Sequence, residues 1–499
     1  MSYIAAIDAG ASEIKACIFD LQGNEVASAS RSCPSNSPET GWAQCSSDIL
    51  TTWPVSVLKD AINSSDISVK EIHAIGVTGS RATIVPFGKD SISIGPLIFW
   101  YDRRAKKEVK NISKRFGVDE FFNLTGIPLD PTPSITKIMW WRDNQPEIFD
   151  AAQIYALPQT VVLNSLTGDG WYCDDSNGSY LGFMNLKTRS WEENLLDIAG
   201  ISKDNLPKLV KPGTVIGNLS NNVAIETGLS TKTQVVISGS DAGCFKLGAG
   251  VKERDVACMY IGTAGVTGVI INKPIIDPRL TCCPAVLPDH WDLDGLLLTA
   301  GSAYSWVRDL LGGTIKNKNE LSFKRLDELA AKIPAGSDGV LVVPHFAGAG
   351  SPIWDTKMSG LVSGLRLSHG AAHLVRAVME GVVFAELHAL DAVREHVPNI
   401  NSMQLTGGGG NSALWSQIMA DAVGLPVSIP QSQQSTCLGA AMMAGVASGI
   451  YSNHFEAIDS MTTTQRMIEP NLENKEIYDV AYQTYLNTIE TQKKKYSNE

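Results

Sequence analysis

Short apolar runs alternate with turns of small and polar residues over the first eighty positions of the chain. Runs of this kind, bounded by Gly, Asn and Ser, predict β-strands. They occupy residues 3–8, 14–20, 25–29 and 72–79. Between the third and fourth runs, residues 47–63 have a helical pattern in which Pro54 must start or kink a helix. The predicted order is therefore three strands, a helix and a strand.

The same pattern begins again about 250 residues further along the chain. Residues 256–261 form an apolar run, residues 262–265 make a turn, and residues 266–271 form the returning strand. An internal duplication of one domain type explains this recurrence. We therefore predict two domains, residues 1–248 and residues 249–499, with a cleft between them.

Length and composition agree with a two-domain folded protein. The chain has 499 residues, of which 44% are hydrophobic and 19% are charged, as is typical of globular proteins. The formal net charge of -11 disfavours non-specific binding of nucleic acids, which requires a basic surface. It does not exclude a phosphate-bearing ligand, because backbone amides, a metal ion and a few cations bind such ligands locally.

Neither a secretion signal nor a membrane-spanning segment is expected. Met1 is followed directly by a strand pattern, and no run of 18 apolar residues occurs. The nine cysteines are scattered and lack a CxxC pair, as is typical of free thiols in a reducing compartment. We therefore predict a cytoplasmic protein. Residues 470–495 predict a polar C-terminal helix whose three final lysines are solvated.

Asp8 is the first candidate for chemistry, because it ends a predicted strand just before a turn that contains Gly10. Such a turn would hold a carboxylate at the edge of a cleft and direct its amides toward a ligand, although a plain turn aspartate is the alternative. Gly262 and Thr263 form the matching turn of the second half, where an ordinary hairpin turn is the alternative. Two such turns across one cleft could hold a polyphosphate from both sides.

Four consecutive glycines, residues 407–410, and Asn411 separate a strand pattern from an amphipathic helix. The loop lacks the Lys-Ser/Thr of a Walker loop and the spacing of a dinucleotide-binding fingerprint. Close approach of the backbone to a nucleotide base or ribose therefore fits it better. The alternative is a flexible loop without a ligand.

Asp241 follows a buried strand pattern and precedes the small-residue start of a helix. One interpretation is a helix N-cap. The other is a general base, because phosphoryl transfer to an alcohol needs a carboxylate within hydrogen-bond reach of the attacking hydroxyl. The local sequence does not separate the two.

Several longer segments carry a family signature. Residues 360–365, followed after seven residues by residues 373–380, match a long C-terminal signature, and residues 134–144 are close to an N-terminal one. Residues 346–352 and 436–441 add shorter matches. Through these segments the chain resembles the FGGY family of carbohydrate kinases. The resemblance implies an α/β protein with two ribonuclease-H-like, actin-type ATPase domains and a central cleft.

The resemblance also implies a reaction, the phosphorylation of a hydroxyl of a small sugar or polyol by ATP with Mg²⁺. Asp8 would hold the Mg²⁺, directly or through water, and Asp241 would take the proton of the substrate hydroxyl. The N-terminal domain would carry these acids and the sugar, and the C-terminal domain the nucleotide. The residues assigned to ATP are Gly10, Ser12, Lys15, Gly262 and Thr263 for the phosphates and Gly408, Gly409 and Asn411 for the adenosine.

Two positions of the first phosphate turn depart from the family pattern. Ala11 stands where threonine is usual, and Glu13 stands where a small hydroxyl residue is usual. Both changes would weaken phosphate binding, although Ser12 still offers a hydroxyl. They keep open a hypothesis of another class, an actin-like nucleotide-dependent sensor with little transferase activity. Asp241 argues against it, because a sensor needs no base opposite the γ-phosphate.

Smaller segments bear on the acceptor. Residues 101–104 and 125–131 resemble glycerol kinases, but the Arg-Glu pair that grips glycerol there is Arg81-Ala82 here. The Gln-Met-His segment of xylulokinases is absent from this position, and two further segments resemble autoinducer-2 kinases. We rank a pentulose first, ahead of glycerol and of an autoinducer-2-type acceptor.

Arg81, Asp102 and Asp241 are the residues predicted to bind the sugar hydroxyls. For Arg81 and Asp102 the alternative is a surface ion pair of little consequence. No nucleic-acid or membrane partner is expected. A homodimer is compatible with the sequence, which does not define the oligomeric state.

Overall fold

The structure is a computed structural model that describes residues 2–252, 254–312 and 321–497. The strands of its N-terminal half are β1 (Tyr3–Ala9), β2 (Glu13–Asp20), β3 (Glu25–Ser32), β4 (Gln44–Cys45), β5 (Ile72–Gly79), β6 (Val85–Phe87), β7 (Leu97–Ile98), β8 (Ile154–Ala156), β9 (Tyr172–Asp174), β10 (Met184–Asn185), β11 (Ser190–Trp191), β12 (Lys208–Val210), β13 (Thr214–Asn218) and β14 (Gln234–Ser240). Its helices are α1 (Ile49–Asn63), α2 (Lys106–Arg115), α3 (Val118–Thr125), α4 (Ser134–Asn144), α5 (Pro146–Ala151), α6 (Pro158–Thr167), α7 (Asp175–Gly178), α8 (Glu193–Ala199), α9 (Asn221–Thr227) and α10 (Asp241–Gly248).

The C-terminal half has fewer and longer elements. Its strands are β15 (Val256–Ile261), β16 (Gly265–Ile271), β17 (Thr281–Pro284), β18 (Trp291–Leu297), β19 (Leu341–Val343), β20 (Leu361–Ser363), β21 (Ser402–Thr406), β22 (Val427–Pro430) and β23 (Thr464–Ile468). Its helices are α11 (Gly301–Gly312), α12 (Phe323–Ala330), α13 (Ala371–His396), α14 (Ala413–Val423), α15 (Ser435–Ala447), α16 (His454–Met461) and α17 (Leu472–Ser497). Within the described ranges, no helix combines the length and the apolarity that a membrane crossing would need.

The two halves contain sheets with the same order of strands. In the N-terminal sheet, β1 lies between antiparallel β2 and parallel β5, and the sheet continues through parallel β14 to antiparallel β13. In the C-terminal sheet, β15 lies between antiparallel β16 and parallel β21, and the sheet continues through parallel β22 to antiparallel β23. The fold is thus the expected pair of ribonuclease-H-like, actin-type α/β domains. The boundary at residue 248 stays a prediction.

The central strand β1 is buried on both sides, and each side belongs to a different core. Because side chains alternate along a strand, Ala5 and Ile7 pack with α1, while Ile4 and Ala6 pack with α15 of the other half. This explains why residues 3–8 read as a continuous apolar run rather than as an alternating one.

Helices α10 and α15 bring the two halves into contact at their backbones. A Cβ atom on Gly248 of α10 would lie 1.9 Å from the carbonyl oxygen of Ser435, and one on Gly439 of α15 would lie 2.0 Å from that of Cys244. Any larger residue at either glycine would force the helices apart. The crossing therefore fixes how the first turn of α10 stands relative to the C-terminal half.

A large insert, defined as residues 80–233, separates β5 from β14 and contains most of the short elements of the N-terminal half. It has a core of its own, in which Phe121, Trp141, Tyr155 and Phe183 are almost completely buried. The pattern of residues 80–233 did not predict this unit. Its importance lies in the side chains that it places at the cleft.

Two predicted helices differ from expectation. Helix α1 begins at Ile49 and continues through Pro54, so Pro54 does not start it; the loss of one backbone donor is offset by a buried apolar side that includes Val57 and Leu58. Helix α17 carries exposed lysines at its end, Lys494 and Lys495, as predicted, but it is less polar than expected, because Tyr478 and Tyr485 are buried against the C-terminal core.

Candidate active site

A cavity of about 310 Å³ lies where the two halves meet. The β1–β2 turn, the start of α10 and the insert supply its wall from the N-terminal half. Strands β15, β16, β17 and β18 supply much of the other wall. The lining side chains with polar or ionisable groups are Asp8, Ser12, Glu13, Ser80, Arg81, Trp100, Thr132, Tyr180, Asp241, Tyr260, Thr263, Thr281, Asp294 and Thr436. Asp8 and Asp241 thus share one cavity.

A second and larger cavity, of about 1020 Å³, lies in the C-terminal half. It is lined by the turn after β15, the start of α11, α12 and the glycine loop before α14. Thr263 lines both cavities, so the two adjoin at the second phosphate turn.

Asp8 lies near the end of β1, paired in register with Lys15. Burial, and then the negative charge of Asp241, raise the pKa of Asp8 to about 7. Its Oδ1 atom is buried and, among the residues that the structure describes, has no hydrogen-bond partner. A buried carboxylate oxygen without a donor is what a bound divalent cation would satisfy, so Asp8 fits the role of an Mg²⁺ ligand.

Asp241 is the first residue of α10, and the structure excludes one of its two interpretations. Ser240 is the N-cap, because its Oγ accepts the hydrogen bond from the Gly243 amide at 3.2 Å. The Asp241 carboxylate accepts only from its neighbour, the amide of Ala242 at 2.7 Å, among the described residues. Burial raises the pKa of Asp241, while Arg81 opposes that shift. The N-cap interpretation is therefore wrong, and the carboxylate is left available at the cavity.

The first phosphate turn is shaped by a charge pair. Gly10 and Ser12 line the cavity as predicted, and Glu13 lines it as well. Lys15 is not among the lining residues; its ammonium lies 2.6 Å from the Glu13 carboxylate and donates to Gln434 Oε1 of the C-terminal half at 2.9 Å. The structure therefore places Glu13, and not Lys15, at the phosphate side of the cavity.

The second phosphate turn is held by the start of α11. The amide of Gly301 donates to the Gly262 carbonyl at 2.7 Å, and the amide of Ser302 donates to the Thr263 carbonyl at 3.1 Å. A Cβ atom on Gly301 would lie 2.4 Å from the Gly262 oxygen, so only glycine allows this contact. The predicted residues Gly262 and Thr263 thus occupy a fixed turn between the cavities.

Behind this turn lies Glu386 of α13, which sequence reasoning did not single out. Its Oε2 accepts a hydrogen bond of 2.5 Å from Thr267 Oγ1, and burial raises its pKa to about 8. A Cβ atom on Gly265 would lie 1.7 Å from Glu386 Oε1. The acid therefore packs directly against the backbone of the turn.

The glycine loop borders the larger cavity. Gly408, Gly409 and Asn411 lie in a short 3-10 turn, and Ser412 caps α14 by accepting from the Trp415 amide at 3.0 Å. The cavity is also lined by aromatic rings, with Tyr304 centred 5.4 Å from Phe323 and 5.1 Å from Trp415. A flat base could enter between the loop and these rings.

Arg81 and Asp102, the predicted sugar ligands, have different surroundings. Arg81 lines the cavity, and its Nη2 donates to Ser240 Oγ at 2.8 Å. Asp102 is 1% exposed and does not line the cavity. Its carboxylate accepts from the Ala43 amide and from Arg104, whose guanidinium stacks over the ring of Trp42. Asp102 belongs to a buried structural ion pair, neither a sugar ligand in this arrangement nor a surface pair.

Eight of the polar lining residues were not proposed from the sequence: Ser80, Trp100, Thr132, Tyr180, Tyr260, Thr281, Asp294 and Thr436. Trp100, Thr132 and Tyr180 come from the insert, and Asp294 comes from β18 of the C-terminal half. Trp100 adjoins residues 101–104, which carry the resemblance to glycerol kinases, so that segment held a usable signal. Asp294 lies in a strand assigned wholly to the nucleotide side, and no local pattern marked it.

Comparisons with known proteins agree over the whole chain. Models of the FGGY family of carbohydrate kinases match residues 3–248 for the N-terminal domain and residues 257–448 for the C-terminal domain. Gluconokinase of Bacillus subtilis is 29% identical over 466 residues, which cover 92% of this chain and 90% of that protein. Glycerol kinase of Acinetobacter baylyi is 28% identical over 488 residues, which cover 95% and 96%.

Among solved structures, ligand-bound xylulose kinase from Lactobacillus acidophilus superposes with a TM-score of 0.90 at 26% identity, with 98% of both chains covered. The names of these similar proteins point to three different acceptors at similar identities, so they define the type of reaction and not the sugar. Kinases of this kind take the phosphoryl group from ATP. By both of its domains, this chain belongs to the FGGY family of carbohydrate kinases.

Proposed function

We propose that this carbohydrate kinase transfers the γ-phosphoryl group of Mg²⁺-ATP to a hydroxyl of a neutral small sugar, with a pentulose ranked first, in the cytoplasm. The observation that carries the proposal is the shared cavity of Asp8 and Asp241, which meets the larger cavity at Thr263. A nucleotide with its base in the larger cavity and its phosphates at Thr263 would present its terminal phosphate to Asp241.

In the proposed step, Asp241 accepts the proton of the sugar hydroxyl while the hydroxyl oxygen attacks the γ-phosphorus. The new O–P bond forms as the bond from that phosphorus to the β–γ bridging oxygen breaks, and ADP leaves. The amides of the two turns, around Ser12 and Thr263, would bind the phosphate oxygens. The Arg81 guanidinium would help to keep Asp241 ionised, since it opposes the rise of that pKa.

Asp8 is the proposed Mg²⁺ ligand, on the strength of its unpaired and buried Oδ1. When bound, Mg²⁺ would neutralise charge on the β- and γ-phosphates. It would also relieve the repulsion between Asp8 and Asp241, which contributes to the raised pKa of Asp8.

The charges of the cavity favour a neutral acceptor. Among the lining residues within the described ranges, the carboxylates are those of Asp8, Glu13, Asp241 and Asp294, and the cation is Arg81. Arg81 is itself already paired, since its Nη2 lies 3.3 Å from an oxygen of Asp292. A sugar acid such as gluconate would therefore meet net repulsion. The absence of a carboxylate at Ala82 argues against glycerol, which leaves the pentulose first.

The sensor hypothesis has less support. Its basis was Ala11 and Glu13 in the first phosphate turn, and Glu13 does lie at the cavity. A free carboxylate at position 241 and the family assignment both favour a transferase. The two hypotheses still predict different behaviour of the purified protein.

The test is acceptor-dependent release of ADP from the full chain, with D-xylulose, D-ribulose, glycerol, D-gluconate and D-fructose as acceptors. We expect the fastest release with a pentulose and at least tenfold lower kcat/KM with gluconate. Among the described lining residues the cation is Arg81, which is already paired with Asp292, so the carboxylate of gluconate would find no cation to bind it. Faster turnover of gluconate would overturn the neutral-sugar proposal. Tight ATP binding without acceptor-dependent release would favour the sensor.

A further inference from the structure

Four charged side chains form a buried network at the wall of the smaller cavity, and two come from each half. Lys246 Nζ lies 2.5 Å from Asp294 Oδ1 and 2.9 Å from Asp292 Oδ1, and Arg81 Nη2 lies 3.3 Å from Asp292 Oδ2. None of the four side chains is more than 10% exposed. The network therefore joins α10 and Arg81, two residues after β5, to strand β18.

Only part of the network reaches the cavity. Arg81 and Asp294 line it, whereas Lys246 and Asp292 are not among its lining residues. Asp292 and Asp294 lie two positions apart on β18 and so project to the same side of the sheet. Asp292 thus serves to balance the two cations, and Asp294 brings a carboxylate to the cleft.

The fold makes room for Asp294. Gly268 of β16 is its register partner, and a Cβ atom on Gly268 would lie 2.0 Å from Asp294 Oδ1. Lys246 holds that Oδ1 atom, while Oδ2 accepts no hydrogen bond from any residue within the described ranges. One oxygen is thus fixed and the other remains available to a donor in the cavity.

We propose that Asp294 is a substrate-binding residue, whose Oδ2 accepts a hydrogen bond from an acceptor hydroxyl other than the one that is phosphorylated. The inference rests on the proposed function. It assigns to the C-terminal half the carboxylate that the N-terminal half lacks at Ala82. The acceptor is then bound from both halves, with Asp241 at the reacting hydroxyl and Asp294 at a second one.

Asp241 belongs to the N-terminal half and Asp294 to the C-terminal half, so recognition of the acceptor depends on how closely the two halves approach each other. Lys246 and Asp241 share helix α10, so the residue that orients Asp294 is rigidly connected to the proposed base. A sugar with a hydroxyl at the correct distance bridges Asp241 and Asp294, and a shorter acceptor reaches only one of them. Asp294 is therefore expected to select acceptors by length and by the presence of that hydroxyl.

The test compares wild type, Asp294→Asn and Asp292→Asn in the full chain, with D-xylulose, or the fastest acceptor of the panel above, and its mono-deoxy analogues. Asp294→Asn should raise the KM for the acceptor about 10- to 100-fold, with a smaller change in kcat and in the KM for ATP. Lys246 keeps Asp292 as a partner in that variant, so the fold should persist. Asp292→Asn is the matched control and should lower the Tm while it leaves the KM ratio between deoxy and parent acceptors unchanged.

The decisive result is discrimination between acceptors. One deoxy analogue should be a much poorer acceptor than its parent for wild type and for Asp292→Asn, and about equal to its parent for Asp294→Asn. Should Asp294→Asn be unfolded, Asp294→Ser supports the same comparison. Unchanged acceptor KM and unchanged discrimination in a folded Asp294 variant of an active enzyme would overturn this inference alone. A wild type that phosphorylates no neutral acceptor would overturn the proposed function and this inference with it.

Discussion

The two halves share one topology but carry different chemistry at equivalent positions. In each half, the first two strands of the sheet form a hairpin. At the last strand pair but one before its turn, the N-terminal half has Asp8 and the C-terminal half has Tyr260. Strands β14 and β22 hold equivalent places in the two sheets, and each is followed by a helix. The helix after β14 begins with Asp241, and the helix after β22 begins with Ser435. The duplication thus supplied one scaffold twice, and one copy carries the ionisable groups proposed for the reaction. At its phosphate turn the other copy offers glycine amides and the Thr263 hydroxyl, which suit a polyphosphate that further carboxylates would repel.

The sharpest test of this asymmetry replaces the first residue of each of the two equivalent helices, α10 and α15. Asp241→Asn should lower kcat about 1,000-fold, because the amide cannot accept the proton of the attacking hydroxyl. Ser435→Ala, at the equivalent position, is the matched control and should change kcat less than threefold. ADP release measures both, and ATP binding by calorimetry should be retained in both. Comparable losses in the two variants would mean that the halves are not chemically distinct.

The second test concerns the equivalent strand ends. Asp8→Asn should lower kcat/KM about 100-fold and raise the Mg²⁺ concentration needed for half-maximal rate, because a neutral amide is a weaker ligand than a carboxylate. Rates measured across a titration of Mg²⁺ at fixed ATP would check this. A wild-type Mg²⁺ dependence in the variant would remove Asp8 from the metal-binding role.

The third test concerns a buried acid behind the second phosphate turn, Glu386 in the C-terminal half. Its carboxyl stays protonated in the folded protein up to a pKa of about 8, while in the unfolded chain it ionises above 4.5. Between these values the unfolded state binds fewer protons, so the unfolding free energy falls as pH rises, by about 1.4 kcal/mol per pH unit from this group.

Glu386→Gln should abolish that contribution. Urea unfolding at pH 5, 6, 7 and 8 should show the variant gaining stability relative to wild type with each step. Parallel stability curves for the two proteins would show that Glu386 is ionised throughout.

The smallest expected effect comes from making the first phosphate turn resemble the second. Glu13→Ser removes a carboxylate from the cavity and frees Lys15 from its 2.6 Å ion pair. The side chains of Glu13 and Lys15 are 41% and 20% exposed, so solvent screens their charges and the improvement in ATP binding is modest. The KM for ATP should fall about three- to tenfold. Steady-state kinetics at saturating acceptor measures it, with Lys15→Met as the opposite control. A higher KM for ATP in Glu13→Ser would mean that this carboxylate assists nucleotide binding.

The sequence predicted the duplicated hairpins well, because their signal is local. Residues 72–79 and 256–261 are strands with the predicted bounds, since both are apolar runs that end at glycine turns. The residues proposed from those turns were also predicted from local signals, and two of them, Asp8 and Thr263, line the cavity.

What the sequence did not predict depends on contacts between distant segments. Asp102 is of a residue type that is common in binding sites, but Arg104, two positions later, donates hydrogen bonds to its carboxylate. Only the folded loop reveals this ion pair. Asp294 reaches the cavity because Gly268 stands opposite it, a pairing of strands that no local pattern records. Helix α17 did carry a signal, since its buried Tyr478, Tyr482 and Tyr485 recur at helical spacing within an otherwise polar stretch.

The backbone contact at Gly248 and Gly439 has a mechanical consequence. It extends along α10 from Cys244 to Gly248, and Gly248 lies about 10 Å from Asp241 at 1.5 Å per residue. The position of the proposed base relative to the C-terminal half therefore depends on the angle of this crossing. A rotation of about 10° around it would carry the Asp241 carboxylate by about 2 Å, the difference between a made and a broken hydrogen bond.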